Sequence, residues 1–151
     1  MGGTLLLGPA DKALLAAVFA QVGMTFALLV WLGRARAASA ARREVKLSDV
    51  ALSSDAWSDR IKQIANSFAN QFELPVLFYV AALLALVTRQ ADWIVVALAW
   101  AFVALRVVHA NIHVTHNHVI RRFQVYVAGF FALAALWLYL AVRLLVLPEI
   151  A

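Results

Sequence analysis

Four long apolar segments constrain this sequence more than any other feature. They run from about 13 to 32, 64 to 87, 93 to 115 and 124 to 147. Each comes close to the length of about 20 residues that an α-helix needs to cross the hydrocarbon of a bilayer. Because 65% of the 151 residues are hydrophobic, there is no room for a separate soluble domain. We therefore predict an all-α integral membrane protein, in which residues 1–151 form a single up-down four-helix transmembrane bundle.

The distribution of positive charge predicts how this bundle lies in the membrane. Basic residues concentrate in the stretch 34–62, and Arg121 and Arg122 follow the third apolar segment. By the positive-inside rule these two loops face the cytoplasm, so both chain termini lie on the non-cytoplasmic side. Contact with anionic lipids accounts for such charges. No nucleic-acid partner is predicted, because the basic residues lack an interleaved aromatic platform or a recognisable binding motif.

The cysteine and histidine content limits the chemistry of the chain. There is no cysteine, which excludes disulfides, a cysteine-based metal site and a thiol nucleophile within the protein. Any thiol chemistry must come from a substrate or cofactor. His109 and His113 have the i, i+4 spacing of a helical ligand pair, but no acidic residue accompanies them in the same turn. We predict no bound metal.

Polar side chains recur on one helical face at the start of the second apolar segment and at the end of the third. They are Asn66, Asn70 and Glu73 in the second segment, and Arg106, His109 and His113 in the third. Such groups inside a span are costly, and they usually face a partner or a wet cavity. At a helical rise of 1.5 Å per residue, Glu73 and Arg106 both lie roughly 15 Å from the cytoplasmic boundary of the membrane. This equal depth predicts an ion pair between them.

Two interpretations of these polar stripes remain open. They either form hydrogen bonds and ion pairs that hold two helices together, or they line a pocket. The same rise per residue places Asn70 at the membrane depth of His109, and Asn66 at that of His113. Because the set exceeds what holding two helices requires, a polar pocket open to the cytoplasm is the better hypothesis.

Three short patterns together resemble a known family. They are Asn70-x-x-Glu73 followed by Pro75, Arg106-x-x-His109, and Arg122 with Tyr126 four residues further on. This arrangement resembles the MAPEG family, the membrane-associated proteins in eicosanoid and glutathione metabolism, and in particular its bacterial members. The resemblance covers nearly the whole chain, including the long first basic loop and the shorter later ones.

The resemblance implies a homotrimer in the bacterial inner membrane, with glutathione held between neighbouring subunits near the cytoplasmic face. It implies that Asn70 and Glu73 hold the peptide, and that His109 and Tyr126 line the pocket. Arg122 would be the catalytic residue that stabilises the glutathione thiolate. We add to the glutathione-binding candidates the two neighbours of His109 on its helical face, which are Arg106 and His113.

The function implied by the resemblance is that of a glutathione-dependent transferase or peroxidase acting on a hydrophobic small molecule or lipid. The chain departs from the family pattern at two positions. Asn66 stands where enzymatic members usually have an arginine, and His113 stands where a tyrosine is expected. Two alternatives therefore remain open: a non-catalytic lipid-binding or scaffold member, and an accessory subunit of a larger membrane complex.

Overall fold

The computed structural model describes residues 7–146 except 47 and 52, and all regular structure in this part of the chain is helical. The helices are α1 (Pro9–Ala41), α2 (Asp59–Ala69), α3 (Leu74–Val87), α4 (Trp93–Val114) and α5 (Val119–Leu145), with a 3₁₀ turn (Asn70–Phe72) between α2 and α3. Among the described residues, α1, the unit Asp59–Val87, α4 and α5 are each long and apolar enough to cross a membrane. The predicted four-helix membrane bundle is confirmed. Leu147, the predicted end of the fourth segment, lies outside the described residues.

The helix starts are set by local side chains. Pro9 occupies the first turn of α1, where its missing N–H has no intrahelical partner to lose, and the carboxylate of Asp11 accepts the N–H of Gly8 at 2.8 Å. Asp92 precedes α4, and its carboxylate accepts the backbone N–H groups two and three residues further on, each at 3.0 Å. Both carboxylates also stabilise the positive end of the helix dipole.

The second membrane unit is interrupted where the sequence reads NQFELP. Pro75 has no N–H and cannot donate to the carbonyl of Gln71, so a regular helix cannot continue through this point. The chain forms the 3₁₀ turn instead, and Glu73 leaves the helical region with φ −100° and ψ −109°. The side chain of Glu73 therefore no longer continues the stripe that Asn66 and Asn70 begin.

Two apolar clusters pack the bundle, and a polar layer separates them. One cluster includes Phe78 and Phe102, whose rings stack at 5.1 Å, and the other includes Trp57. Along α1 and the second unit, the buried residues between these clusters include the polar side chains of Gln21 and Gln71: the amide of Gln21 donates to that of Gln71 at 3.0 Å. Apolar helix faces pack against lipid about as well as against each other, so interhelical hydrogen bonds of this kind help to fix the register of the helices.

We use the term basic end for the end of the bundle that carries the loops 42–58 and 115–118. Here the guanidinium of Arg60 lies over the ring of Trp31, 5.2 Å from its centroid, and donates a hydrogen bond to the carbonyl of Val114. A cation at this carbonyl complements the negative end of the α4 dipole. This contact ties the start of α2 to both α1 and the last turn of α4.

Candidate functional site

A polar pocket of about 210 Å³ opens at the basic end, where the 3₁₀ turn, the last turns of α4 and the first turns of α5 meet. Its walls are formed by Asn70, His109, His113, Val119, Arg122, Phe123 and Tyr126. The structure thus brings together five residues that the sequence singled out from three separate elements. These are Asn70, His109, His113, Arg122 and Tyr126.

His109 occupies the centre of this pocket wall. Its ring lies 5.9 Å from that of His113 and 5.7 Å from that of Tyr126, measured between centroids. Its Nδ1 lies 3.2 Å from the carbonyl oxygen of Arg122. A carbonyl oxygen only accepts hydrogen bonds, so Nδ1 must carry the proton, and in the neutral ring Nε2 is then an acceptor.

Both imidazoles present an unused nitrogen. Nε2 of His109 and Nδ1 of His113 are buried and have no hydrogen-bond partner among the described residues. Buried polar atoms in native proteins are nearly always paired, and an orphaned one needs an explanation such as a ligand, a water or a partner subunit. The acceptor at His109 suits an incoming N–H, O–H or S–H group.

Arg122 supplies the positive charge of the pocket. It lies in the first turn of α5, is half-buried, and donates a hydrogen bond from Nη1 to the side-chain oxygen of Asn117. Its backbone carbonyl is held by His109, as described above. The residue before it, Arg121, is exposed and does not line the pocket. The two adjacent arginines therefore have different environments, and only Arg122 faces the candidate site.

The predicted ion pair between Glu73 and Arg106 is wrong. Arg106 is only 1% exposed, and its Nη2 donates to the backbone carbonyl of Asn70 at 2.8 Å, while no ion pair joins it to Glu73. The 3₁₀ turn before Pro75 explains the difference, because it takes Glu73 out of the helical spacing on which the prediction relied and leaves the carbonyl of Asn70 within reach of Arg106. Arg106 thus lies behind the pocket and fixes the backbone of Asn70.

Two residues of the polar stripe predicted in the second segment do not line the pocket. Asn66 is exposed, and its backbone carbonyl accepts the side-chain amide of Asn70 at 3.0 Å. Glu73 is also exposed on the surface of the chain. The predicted level of Glu73 with Arg106 assumed an unbroken helix, which the 3₁₀ turn replaces.

Glu73 lies at a depth where lipid exposure would be costly. The 14 residues of α3 rise roughly 21 Å, which is short of the hydrocarbon thickness of about 30 Å. With the far end of α3 at one boundary of the hydrocarbon, the 3₁₀ turn and Glu73 lie within it. Acidic side chains there almost always face protein or a wet cavity. The surface around Glu73 thus calls for a covering partner or water.

Several site features were not predicted from the sequence. Val119 and Phe123 form the apolar part of the pocket wall, and Asn117 holds Arg122. A signal for Asn117 existed, because asparagine in a short interhelical connection is a common left-handed residue after a helix. Within the described ranges, no group of three or more metal-ligating side chains could hold a metal ion.

The model of the MAPEG family matches residues 14–142, nearly the whole chain. No curated protein and no solved structure gives a significant match.

Proposed function

Because this chain belongs to the MAPEG family, we propose that it is a glutathione-dependent transferase or peroxidase acting on a hydrophobic substrate that reaches it through the bilayer. MAPEG proteins are generally associated with glutathione. The observation that carries the proposal is the pocket in which Arg122 and two imidazoles with unused nitrogens converge. A cation beside orphaned polar atoms is suited to an anionic, hydrogen-bonding ligand.

The chemistry of the pocket fits glutathione. The peptide carries two carboxylates, an ammonium group and a thiol, and so offers both acceptors and donors. Arg122 can pair with a carboxylate or a thiolate, and the acceptor Nε2 of His109 can receive a donor. Asn70 is held by Arg106 through its backbone, which keeps its side chain at the pocket wall.

Arg122 is the proposed catalytic residue. A guanidinium near a thiol stabilises the thiolate, lowers the thiol pKa and raises the fraction that is nucleophilic. The glutathione thiol supplies the nucleophile, which this cysteine-free chain lacks. The residues of the chain bind and orient the peptide, and the apolar side chains of Val119 and Phe123 at the mouth keep water from the reacting sulfur.

We propose that the working unit is a homotrimer in which a neighbouring subunit completes the site. Ligand pockets typically measure about 300–1,000 Å³, and the 210 Å³ of a single chain falls below this range. The exposed carboxylate of Glu73 at membrane depth also requires a covering partner. A neighbouring subunit over this face would place Glu73 beside the peptide, where it could hold the ammonium group.

The proposed setting is the bacterial inner membrane. Under the positive-inside rule the basic end faces the cytoplasm, and both chain termini lie on the opposite side. The pocket then opens toward a compartment in which a water-soluble thiol peptide can reach it, while the hydrophobic small molecule or lipid arrives from the membrane.

A second candidate function is lipid binding without catalysis, and one observation favours it. A larger, mainly apolar groove of about 650 Å³ runs along α1, lined by Phe26, Ala27, Val30, Trp31 and Arg34. Apolar side chains that end at a cation suit an acyl chain with an anionic head group. In this alternative, the polar pocket would stabilise the assembly and would not bind glutathione.

Thermal unfolding of the detergent-purified protein across a glutathione titration tests the proposal. A ligand that binds only the folded state raises the midpoint with its concentration, by about 2.7 kcal/mol of stability at 100 times Kd. Losing a hydrogen bond to a charged group costs about 1.5–3 kcal/mol, so Arg122→Ala should bind glutathione roughly 10- to 100-fold more weakly. Arg121→Ala is the matched control and should bind like wild type. No shift at millimolar glutathione would reject the enzyme proposal and favour lipid binding.

A further inference from the structure

We propose that Asn117 is a positioning residue that holds the guanidinium of Arg122 at the pocket. Asn117 lies in the connection between α4 and α5, outside the pocket wall, and its side-chain oxygen accepts the hydrogen bond from Nη1 of Arg122. Its own backbone is anchored to α4, because its N–H donates to the carbonyl of Ile112 at 2.8 Å. A continuous hydrogen-bonded path thus runs from α4 through Asn117 to Arg122.

The backbone conformation of Asn117 supports a specific use of its side chain. The residue has φ +46°, in the left-handed region where glycine is free of steric cost and asparagine is tolerated. Its N–H also donates to the carbonyl of Ile112, which anchors the turn to the end of α4. Glycine would serve this turn at least as well, so the turn alone does not require the amide that Asn117 supplies.

The hydrogen bonds of two other side chains in this connection, Thr115 and His118, go to other partners. The hydroxyl of Thr115 donates to the carbonyl of Asn111 at 2.6 Å, and Nδ1 of His118 accepts the backbone N–H of Arg121 at 3.4 Å. Asn117 is the residue of this connection that the structure places on the Arg122 guanidinium. An arginine side chain has many rotamers, and a fixed acceptor selects the one that reaches the pocket.

The first test does not depend on glutathione. The reactivity of each arginine toward a dicarbonyl reagent such as phenylglyoxal is measured by mass spectrometry, with exposed Arg121 as the internal standard. In the wild type Arg122 should react several-fold more slowly than Arg121. Asn117→Gly keeps the left-handed turn and removes the acceptor, so Arg122 should approach the reactivity of Arg121. Asn117→Asp keeps an acceptor and should keep Arg122 protected.

The outcomes of this test are decisive in both directions. Unchanged Arg122 reactivity in Asn117→Gly would overturn the proposal, and so would Asn117→Asp if it exposed Arg122 as much as glycine does. If Asn117→Gly failed to fold, the aspartate variant would decide alone: its charged acceptor should hold the guanidinium more tightly and make Arg122 react more slowly than in the wild type, and an unchanged or faster reaction would overturn the proposal.

A second test rests on the proposed function and measures the fraction of bound glutathione that is ionised, through the ultraviolet absorbance of the thiolate. Asn117→Gly should lower this fraction several-fold at neutral pH, and Asn117→Asp should restore much of it. Added to Arg122→Ala, the glycine substitution should have no further effect, because both changes act through one guanidinium. An additive loss would contradict the proposal. Absence of glutathione binding in the wild type would reject the proposed function and leave the reagent test to judge Asn117.

Discussion

The hydrogen bond between Gln21 and Gln71 predicts a measurable coupling between α1 and the interrupted second unit. Both side chains are essentially fully buried, at 0% and 1% exposure, and the amide nitrogen of Gln21 donates to the amide oxygen of Gln71 at 3.0 Å. Methionine matches glutamine in length and removes the polar atoms. Gln21→Met leaves the oxygen of Gln71 unpaired, and Gln71→Met leaves the nitrogen of Gln21 unpaired. Each should cost about 1–3 kcal/mol.

The double variant distinguishes a specific pair from two independent packing effects. It leaves neither group unpaired, so it should be more stable than the two single costs predict. Interhelical hydrogen bonds in membrane proteins couple by about 0.6 kcal/mol on average and up to about 1.7 kcal/mol, and this is the expected range. Reversible unfolding in mixed detergent micelles gives the four free energies of unfolding. If the losses in free energy of unfolding of the two single variants simply add in the double variant, the pairing is refuted. The proposal that the polar layer sets the register of the helices then fails as well.

Three further predictions concern other parts of the bundle. Phe102→Ala should lower the free energy of unfolding by about 3–5 kcal/mol, since the ring is 0% exposed; a loss below about 1 kcal/mol would mean that the site is not core. Burial tends to raise the pKa of Asp92, but hydrogen bonds from Tyr139 and two backbone N–H groups, with the charge of Arg143, outweigh it, so this pKa lies below its ordinary value. The stability contributed by the carboxylate is then complete above about pH 3.9 and is lost as pH falls through the lower folded-state value. The stability difference between wild type and Asp92→Asn should shrink over that window in an acid titration, and a constant difference would contradict this reasoning. Glu73→Gln should weaken subunit association in sedimentation or native mass spectrometry, whereas an unchanged assembly would show that the carboxylate is not at the interface.

The four-helix membrane architecture could be predicted because it depends on segment length and hydrophobicity. A span of about 20 apolar residues has few alternatives in a bilayer. Prediction was less exact where local chemistry competes with a regular helix. Pro75 interrupts a regular helix, but where Glu73 then lies depends on which donors reach the carbonyls of the interrupted turn. The donor to Asn70 is Arg106, on a different helix.

The site illustrates the same limit. Helical spacing grouped His109 with His113, and the structure keeps them on one wall because α4 is continuous there. Spacing failed for Glu73, because the count assumed a constant rise and turn through residues 70–73. Helical spacing does not apply to Asn117, which lies in a connection and whose role depends on a left-handed backbone and on an arginine five residues later.

The pH dependence of the thiol of bound glutathione tests the central claim most directly. The measurement is the ultraviolet absorbance of the thiolate, recorded across pH for the wild type, Arg122→Ala and the control Arg121→Ala, each at saturating glutathione. If Arg122 activates the thiol, the wild type and the control should ionise it at lower pH than free glutathione, and Arg122→Ala should return it toward the free value. Bound glutathione that ionises like the free peptide, or a shift that survives in Arg122→Ala, would contradict the account.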